Sequence, residues 1–583
     1  MLSGTALFCA QMAAAQDVTL VLDDPELRSV VRDASLTLQL RNDADASAAD
    51  YVAAARVDYR RILTGLYSQG YYSGTVSILI DGREAGTLAP LDAPRQITQV
   101  QIIVDPGAAF VFGQTDLGPL PENAVPPETF APGQPAKTGE ISNAVDQGIT
   151  AWRSQGHALA QRSDQRILAH HPDHRLDVAI NIDPGPQLRF GPLTITGNTA
   201  VRTDRIDEIA GLPSGIFDPQ EAERAASRLR RTGAFQSVAL IEGDTIVNGD
   251  QLPYELQVVE MPQRRLGFGV EYSTVEGLTL SSFWLHRNLL GGAERLRANG
   301  EVTGIGGTTG GIDYELGLTY GRPATLNPDT DLYAELLAQR IDDPGYALDQ
   351  FSAEVGLTKT IHDWLSYNVG VGYLTADVSD DLGVRTYQYL TFPVSAQADR
   401  RDNALNPSDG WYARVELTPF SRIDANDKGG RLYGDGRLYR TVGNDRAVLA
   451  FRSQIGSVFA VTADRAPADY LFFSGGGGTV RGQPYQSLGV ADGADLIGGR
   501  SFLGFQTEAR IDVTDSIGVV GFYDTGFIGA DAFDFTNGDW HSGAGLGVRY
   551  ETGIGPIRLD VAAPVSGDNS GGVQFYIGIG QAF

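Results

Sequence analysis

Cysteine, methionine and long apolar runs are scarce in this chain of 583 residues. The chain has one Cys and three Met, and a lone cysteine cannot form an internal disulfide. No apolar run approaches the roughly 18 to 20 residues that a transmembrane helix needs. A helical membrane span is therefore excluded. A closed β-barrel is not, because its strands satisfy each other's backbone hydrogen bonds.

Positive charge is also in short supply. The chain has 45 Lys and Arg against 72 Asp and Glu, a formal net charge of -27. Such a chain repels phosphate backbones, so we do not expect nucleic acid as a partner. Glycine, by contrast, is abundant, with 71 residues. This abundance suits sheets, turns and close backbone packing better than it suits helix bundles.

The first sixteen residues have features of an export signal. An apolar patch at residues 6–10 leads to Ala13-Ala14-Ala15-Gln16, a small-residue pattern typical of a cleavage site. The usual positive start is missing, because the first basic residue is Arg28. We expect residues 1–16 to be a signal peptide with a shortened start, and a disordered tail is the alternative. Cleavage would remove Cys9 and leave no cysteine in the mature protein.

The sequence repeats itself before residue 261. The segment Val104-Asp105-Pro106-Gly107 recurs as Ile182-Asp183-Pro184-Gly185, and each copy is followed at the same spacing by Phe-Gly. Repeats about 80 residues apart indicate copies of one small module rather than a tight solenoid. The sequence therefore predicts three modules, over about residues 17–104, 105–184 and 185–261.

The third copy has the clearest elements. A strand over 190–196 is followed by a helix capped by Thr203 and stopped by Gly211. Asp218-Pro219 opens a second helix, and two strands follow at 235–241 and 254–259. The order β-α-α-β-β, with both helices on one face of the sheet, predicts an α+β module.

After Met261-Pro262, alternation with a period of two replaces the helical pattern. Apolar residues alternate with charged ones in many successive segments, and the apolar faces carry no charge. A soluble β-sandwich also alternates. However, lumen-like faces of mixed charge, and four Trp near strand ends, favour a lipid-facing barrel. We predict an antiparallel transmembrane β-barrel of about sixteen strands over residues 262–583.

One connection in the barrel is too long for a hairpin. From about residue 458 to 497, after the eleventh predicted strand, it carries Gly475 to Gly478 and then Val480-Arg481-Gly482. This segment resembles the sixth loop of the superfamily of outer-membrane assembly and secretion barrels, which includes BamA, TamA and the two-partner-secretion transporters. Gln483 stands where that family has an aromatic residue.

Further motifs match the same superfamily in the same order. They are Asp399 to Asn403 with Gly410-Trp411, Gly498 to Arg500 with Glu508 and Arg510, Phe522 to Gly526, Gly547 to Tyr550, and Ile557 to Asp560. The resemblance implies that the modules are POTRA domains and that the long loop folds into the lumen. Three modules before such a barrel are most similar to TamA.

The resemblance also implies roles for individual residues. Arg481 is expected to pair with Asp524 and so pin the loop, because Arg can bind a carboxylate in bidentate geometry. Glu508, Arg510, Gly526, Arg558 and Asp560 belong to the supporting strand motifs, and the two arginines with their carboxylate neighbours are expected to form a solvated lumen face. The first strand and the last are expected to form a lateral seam, and the last strand is also expected to be the C-terminal assembly signal. Its residues in this role are Phe575, Ile577, Gly578, Ile579, Gly580 and Phe583.

The expected function is therefore the insertion or secretion of outer-membrane proteins such as autotransporters. The chain would lie in the bacterial outer membrane, one barrel per chain, with its modules in the periplasm. The resemblance implies outer-membrane lipids, unfolded clients and a TamB-like inner-membrane-anchored protein as partners. Alternatives are a two-partner-type transporter, the outer end of a phospholipid bridge and, least favoured, a porin.

No enzyme, cofactor or metal site is expected. His170, His171 and His174 form a cluster without carboxylate or cysteine partners at ligand spacing, so an exposed loop explains them better than a metal site. The segment from Gly567 to Gly572 has the composition of a hairpin turn rather than of a serine nucleophile. The glycine run at 475–478 lacks the Lys-Ser/Thr ending of a phosphate loop.

Overall fold

The computed structural model describes most of the chain after the predicted signal peptide. The described residues are 17–43, 46–89, 94, 96–273, 277–307, 310–343, 346–380, 383–443, 446–492, 495–514, 516–553, 555–567, 572–579 and 581. The signal peptide, Gly580 and Phe583 lie outside them. Among these residues, no helix is both long enough and apolar enough to cross a bilayer.

The chain divides into two compact units. The first comprises the chain up to Pro192 together with Pro213–Glu221 and Glu242–Pro253. The second comprises Leu193–Leu212, Ala222–Ile241 and everything from Tyr254 onward. The third predicted module therefore contributes to both units.

The first module is a four-stranded sheet with three helices. Its strand order is β1-β4-β2-β3, and its buried core includes Ile62 and Leu66 of the long helix against Ile78 and Ile102 of the sheet. Helix α3 begins with a reciprocal Ser47–Asp50 capping box. The elements are β1 (Asp17–Val21), α1 (Pro25–Ala34), α2 (Leu36–Gln39), α3 (Ala48–Ser68), β2 (Thr75–Ile80), β3 (Arg83–Glu84) and β4 (Gln99–Asp105).

The second module departs from the expected β-α-α-β-β order because it has one α-helix. Its elements are β5 (Val111–Gly118), α4 (Thr138–Arg153), β6 (Gln161–His170) and β7 (Arg175–Asp183), with the sheet order β5-β7-β6. The segment between β5 and α4 carries six prolines from Pro119 to Pro135. Proline lacks an amide hydrogen and clashes with the preceding turn of a helix, so this segment forms turns instead.

The third module has the expected order. Its elements are β8 (Arg189–Thr196), α5 (Thr203–Ala210), α6 (Pro219–Arg231), β9 (Phe235–Glu242) and β10 (Gln251–Glu260), with the sheet order β8-β10-β9. Asp218 caps α6 by accepting a hydrogen bond from the Gln220 amide at 2.8 Å. The prediction that Thr203 caps α5 was wrong: Arg202 occupies the cap position without a side-chain hydrogen bond, and Thr203 is the first helical residue.

The rest of the chain is a closed antiparallel barrel, and the predicted sixteen strands are confirmed. It is formed by seventeen segments, of which β18 and β19 both pair with β17 and with β20. They are the two halves of one strand, interrupted at Phe392-Pro393. Pro393 has no amide hydrogen, but its carbonyl accepts a hydrogen bond from the Gly370 amide at 2.9 Å.

The strands follow in chain order. They are β11 (Arg264–Ser273), β12 (Gly277–His286), β13 (Arg295–Ile305), β14 (Asp313–Asn327), β15 (Thr330–Asp343), β16 (Tyr346–His362), β17 (Leu365–Asp380), β18 (Gly383–Thr391), β19 (Val394–Asp399), β20 (Gly410–Arg422), β21 (Lys428–Val442), β22 (Ala447–Phe459), β23 (Val490–Asp492), β24 (Asp495–Ile497), β25 (Ser501–Asp512), β26 (Ile517–Gly529), β27 (Gly538–Tyr550), β28 (Ile557–Ser566) and β29 (Gln574–Ile579). Strands β23 and β24 form a hairpin in the long loop and lie outside the barrel wall.

The two faces of the wall differ as the alternation predicts. Outward side chains are large and apolar, as Val519, Leu546 and Leu559 illustrate. Inward side chains include buried charges such as Glu508 and Asp524. This pattern gives lipid an apolar band and keeps the polar groups in the lumen.

Within the second unit, α5 and α6 pack on turns between barrel strands. Arg228 on α6 binds Asp329 in the β14–β15 turn in bidentate geometry, with N–O distances of 2.7 and 3.1 Å. Ser227 donates to Asp363 in the β16–β17 turn at 2.8 Å. Arg205 on α5 donates to the Pro323 carbonyl at 2.7 Å.

Candidate functional site

The loop between β22 and β25 occupies the lumen of the barrel and ends in a buried tip. Val480, Arg481 and Gln483 of this tip have no exposed surface. Gly482 has a φ of +92°, and a Cβ atom there would lie 2.7 Å from the Ala563 carbonyl oxygen of β28. Glycine is therefore the residue that both the backbone conformation and the space allow.

Arg481 is bound by three carboxylates. Its Nε and Nη2 donate to the two oxygens of Asp524 at 2.7 and 2.9 Å, which is the bidentate arrangement. Its Nη1 donates to Glu508 at 2.7 Å and to Asp560 at 3.4 Å. The guanidinium carbon also lies 3.6 Å from the centre of the Phe522 ring, where the π face attracts a cation.

Two further arginines balance the charge of these carboxylates. Arg510 Nε donates to Glu508 at 2.8 Å, and Arg549 donates to Asp560. Three arginines and three carboxylates thus form one neutral buried cluster, which we call the tip cluster. Its members are Arg481, Arg510, Arg549, Glu508, Asp524 and Asp560.

The prediction of a solvated lumen face was wrong for Glu508, Arg510 and Asp560. Arg558, the remaining residue of that prediction, pairs instead with Glu271, whose side chain is 51% exposed. Glu508 and Asp560 have no exposed surface, and Arg510 is 6% exposed. The loop tip covers them and excludes water from the space around them. Each charge in the tip cluster therefore depends on its partners, because an unpaired buried charge is costly.

The loop tip contacts the last five strands of the barrel. Glu508, which Arg481 binds, belongs to β25, and Asp524 belongs to β26. On β27, a Cβ atom at Gly543 would overlap the Arg481 carbonyl, so the backbones there approach closely. Gln483 donates from Nε2 to the carbonyls of Ser542 and Ser566, on β27 and β28, at 2.7 Å each.

A further contact reaches the last strand. The Gly482 amide donates to the hydroxyl oxygen of Tyr576 at 3.1 Å. The Tyr576 hydroxyl in turn donates to Gln574 on the same strand, and both side chains are buried. The tip that carries Arg481 is therefore attached to β29 itself.

The barrel closes at a seam between β11 and β29. Within the described residues, β11 and β29 are paired at Tyr272–Ile577 and Ser273–Tyr576. The neighbouring ladders are much longer: β11 pairs with β12 at ten positions and β28 with β29 at six. Since each ladder position adds backbone hydrogen bonds, the seam is the weakest join described in the wall.

The predicted site residues therefore fall into two groups. Arg481, Asp524, Glu508, Arg510 and Asp560 come together in the tip cluster, with Val480 and Gly482 beside them. Gly526 packs against the loop: a Cβ atom there would lie 3.0 Å from Val480. Arg558, Phe575, Ile577, Gly578 and Ile579 lie at the seam, whereas Gly580 and Phe583 lie outside the described residues.

Several residues of the site were not predicted from the sequence. Arg549 and Phe522 lie within matched motifs, but nothing in the linear pattern shows that they face Arg481. Gln483 and Tyr576 act through contacts made across 59 and 94 sequence positions. A count of inward positions from the strand ends would have placed Tyr576 in the lumen, but not beside Gly482.

Known proteins and a known protein family are similar to this chain in sequence. The Omp85 superfamily domain matches residues 288–583. A SAM50-like protein of Schizosaccharomyces pombe is 23% identical over 365 residues, which cover 58% of this chain and 76% of that protein. The outer membrane protein assembly factor BamA of Neorickettsia risticii is 21% identical over 443 residues, covering 70% of this chain. The match spans 58% of that BamA, less than two thirds of its length.

Solved structures show the same fold. BamA from Haemophilus ducreyi, crystallised without POTRA domains 1–3, has a TM-score of 0.60 at 17% identity and covers 81% of this chain and 100% of that one. CdiB from Acinetobacter baumannii has a TM-score of 0.53 at 11% identity, covering 81% of this chain and 90% of the other.

Proposed function

Because the chain belongs to the Omp85 superfamily, as an outer-membrane barrel with periplasmic POTRA-like modules, we propose that it assists the insertion or secretion of other outer-membrane proteins. In this proposal it acts as a TamA-like factor, and its clients are unfolded barrel proteins such as autotransporters. The role involves no catalysis and no cofactor. The observation that carries the proposal is that, among the residues the structure describes, only two positions pair β11 with β29.

The seam suits a client strand. When β11 and β29 separate, each exposes a row of unpaired amide and carbonyl groups that can template another strand. Within the described part of the two strands, opening breaks a ladder of two positions. The client would add to the edge of β11 and so enter the membrane already hydrogen-bonded.

The second module has a further strand edge to which a client could bind. Strand β6 lies at the edge of its sheet, and its exposed Ile167 and Leu168 flank a free row of backbone groups. Strands of this type bind extended segments by β-addition, with side-chain pockets adding selectivity. We propose that the modules hold clients in this way, and that a TamB-like periplasmic partner binds the first module.

A disulfide across the seam tests the proposal. We expect Tyr272→Cys/Ile577→Cys, in a Cys9→Ser background, to block client assembly under oxidising conditions and to permit it after reduction. The matched control, Tyr272→Cys/Leu278→Cys, closes the β11–β12 hairpin at a paired position and leaves the seam free. Full autotransporter assembly by the oxidised seam variant would refute the role of the seam.

Crosslinking in intact cells separates the alternatives. A photoreactive residue at Ile167 should capture several nascent barrel proteins if the chain is an assembly factor. Capture of one dedicated secreted protein would instead favour a two-partner-type transporter. Capture of phospholipid without protein would favour a lipid bridge.

A further inference from the structure

The position beside the two seam pairs has an unusual occupant. Continuing the register of Tyr272–Ile577 places Gly578 of β29 opposite Glu271 of β11. Gly578 also pairs with Arg558 on the other side, in β28. A residue without a side chain thus stands between an arginine and a glutamate on the two flanking strands.

The side chain of Arg558 extends past Gly578 to reach Glu271. Arg558 Nη2 donates to Glu271 Oε1 at 2.6 Å, although the two residues lie two strands apart in the wall. A Cβ atom at Gly578 would lie 3.1 Å from Arg558 Nε and 3.2 Å from Glu271 Oε1. The ion pair therefore occupies the space that any other residue at 578 would fill.

We propose that Arg558 and Glu271 act as positioning residues that clasp the seam, by joining β28 to β11 over the top of β29. This inference rests on the proposed function, in which the seam opens. The clasp matters because the described residues of β11 and β29 are paired at two positions. Strand β29 is held to β28 by a ladder of six positions, so separation of β11 from β29 has to break the ion pair.

The exposure of the two side chains determines how strongly the ion pair stabilises the closed seam. The side chain of Arg558 is 13% exposed and that of Glu271 is 51% exposed, so water and salt weaken their attraction. Ion pairs of this kind change an equilibrium by up to about fivefold. A change of that size is small for a whole barrel but large for the balance between an open and a closed seam.

The width of the seam can be measured directly in the purified full-length protein. Spin labels at Leu280 on β12 and Leu559 on β28 span the seam across three strand junctions. Labels at Leu438 on β21 and Val519 on β26 span three junctions in a continuous part of the wall and serve as the control. Pulsed dipolar spectroscopy in lipid vesicles then gives the fraction of molecules with a widened seam.

We expect Glu271→Gln and Arg558→Gln to raise this fraction about two- to fivefold. The exchange Glu271→Arg/Arg558→Glu should restore it, because the pair is re-formed with reversed polarity. High salt should widen the seam in the natural sequence and have little effect in Glu271→Gln. Gly578→Val should widen it in the same way, since the new side chain displaces the pair.

Arg414→Gln is the matched substitution. Arg414 pairs with Glu416 on its own strand at 2.8 Å, with the two side chains 44% and 25% exposed, so its loss should leave the seam unchanged. An unchanged seam in both single variants, or no recovery in the exchange variant, would overturn the clasp. A clasp that behaves as expected in a protein that assembles no client would leave the clasp intact and refute the proposed function.

Discussion

The guanidinium of Arg481 has no exposed surface, so side chains alone compensate its charge. Asp524 supplies a bidentate pair, and Glu508 and Asp560 supply the remaining acceptors. The net gain from such a buried pair is small, because desolvation offsets the attraction, but removal of one partner is costly. The tip cluster therefore fixes the position of the loop more than it adds to stability.

Substitution of Arg481 tests this role. We expect Arg481→Ala to release the loop, at a cost of about 3–5 kcal/mol, because it leaves an excess of buried carboxylates. Arg481→Lys should release it less, since the charge remains but the bidentate geometry is lost. Limited proteolysis within residues 460–500 measures the release. Equal protease resistance in Arg481→Ala and the natural sequence would contradict the role.

The carboxylate of Glu260 also fixes the position of a chain segment, but its hydrogen-bond donors are backbone amides. Its carboxylate accepts hydrogen bonds from the amides of Thr199, Ala200 and Val201 at 2.9, 3.0 and 2.9 Å. Burial alone would raise the pKa of Glu260, but the three amides outweigh it and hold the pKa below its ordinary value. The carboxylate thereby anchors the turn before α5.

The lowered pKa of Glu260 determines the direction in which stability changes with pH. A group whose pKa is lower in the folded protein contributes stability above its unfolded pKa of about 4.3, and loses it as the pH falls through the folded value. We expect hydrogen exchange at residues 199–201, corrected for intrinsic rates, to accelerate below about pH 4. Glu260→Gln should remove this pH dependence, whereas Glu255→Gln on the same strand should not. Unchanged pH dependence in Glu260→Gln would refute the assignment.

How far the site is predictable from the sequence depends on the residue. The pairing of Arg481 with Asp524 follows from resemblance to the superfamily, because both lie in recognisable motifs. Glu508 and Asp560 lie in motifs too, but their convergence on Arg481 depends on how strands far apart in sequence are staggered around the barrel. Tyr576 carries no local signal at all, since its partner is a backbone amide.

At the scale of elements, alternation and turn residues account for most of what the sequence predicts. Asp218 and Pro219 identify the start of α6 because each has a fixed role at a helix N-terminus. The second module shows the limit: the repeat implies two helices, but six prolines prevent the first. The break at Phe392-Pro393 has the same cause, yet neighbouring strands keep both halves in one ladder.

The helices of the third module are elements whose partners lie in the barrel turns. Arg228 is 7% exposed and bridges Asp329 and the carbonyl of Ala210 at the end of α5. Helix periodicity predicts the elements but not these partners, because a turn 101 residues away leaves no trace in the local pattern. The third module accordingly contributes α5 and most of α6 to the unit that contains the barrel.

Limited proteolysis of the whole molecule tests this division. We expect the barrel fragment that resists protease to begin near residue 193, rather than at the predicted domain boundary of 262, because α5 and α6 are protected by the barrel turns. Arg228→Ala should move the new terminus toward residue 262, whereas Arg230→Ala should not, because Arg230 pairs with Glu223 on the same helix. Mass spectrometry of the fragments measures the boundary. A natural-sequence fragment that begins after Met261 would contradict the prediction.

For the whole molecule, the sequence predicts the number of strands and the position of the long loop. Both follow from counting alternating segments. The sequence does not reveal which residues of β11 and β29 are paired, because that depends on where the wall closes on itself.

The attachment of the loop tip to the five strands from β25 to β29 has a consequence for the order of folding. The loop precedes all five strands in the chain, and its arginine is buried among them. Insertion of the charged tip into a completed barrel would require the removal of water from Arg481 before any carboxylate could replace that water. The tip must therefore be seated while the wall is still an open sheet, with the later strands laid down around it. In this order, the pairing of β29 with β11 is the final step. The contacts between the loop tip and β29 guide this step and remain in the mature protein beside the seam.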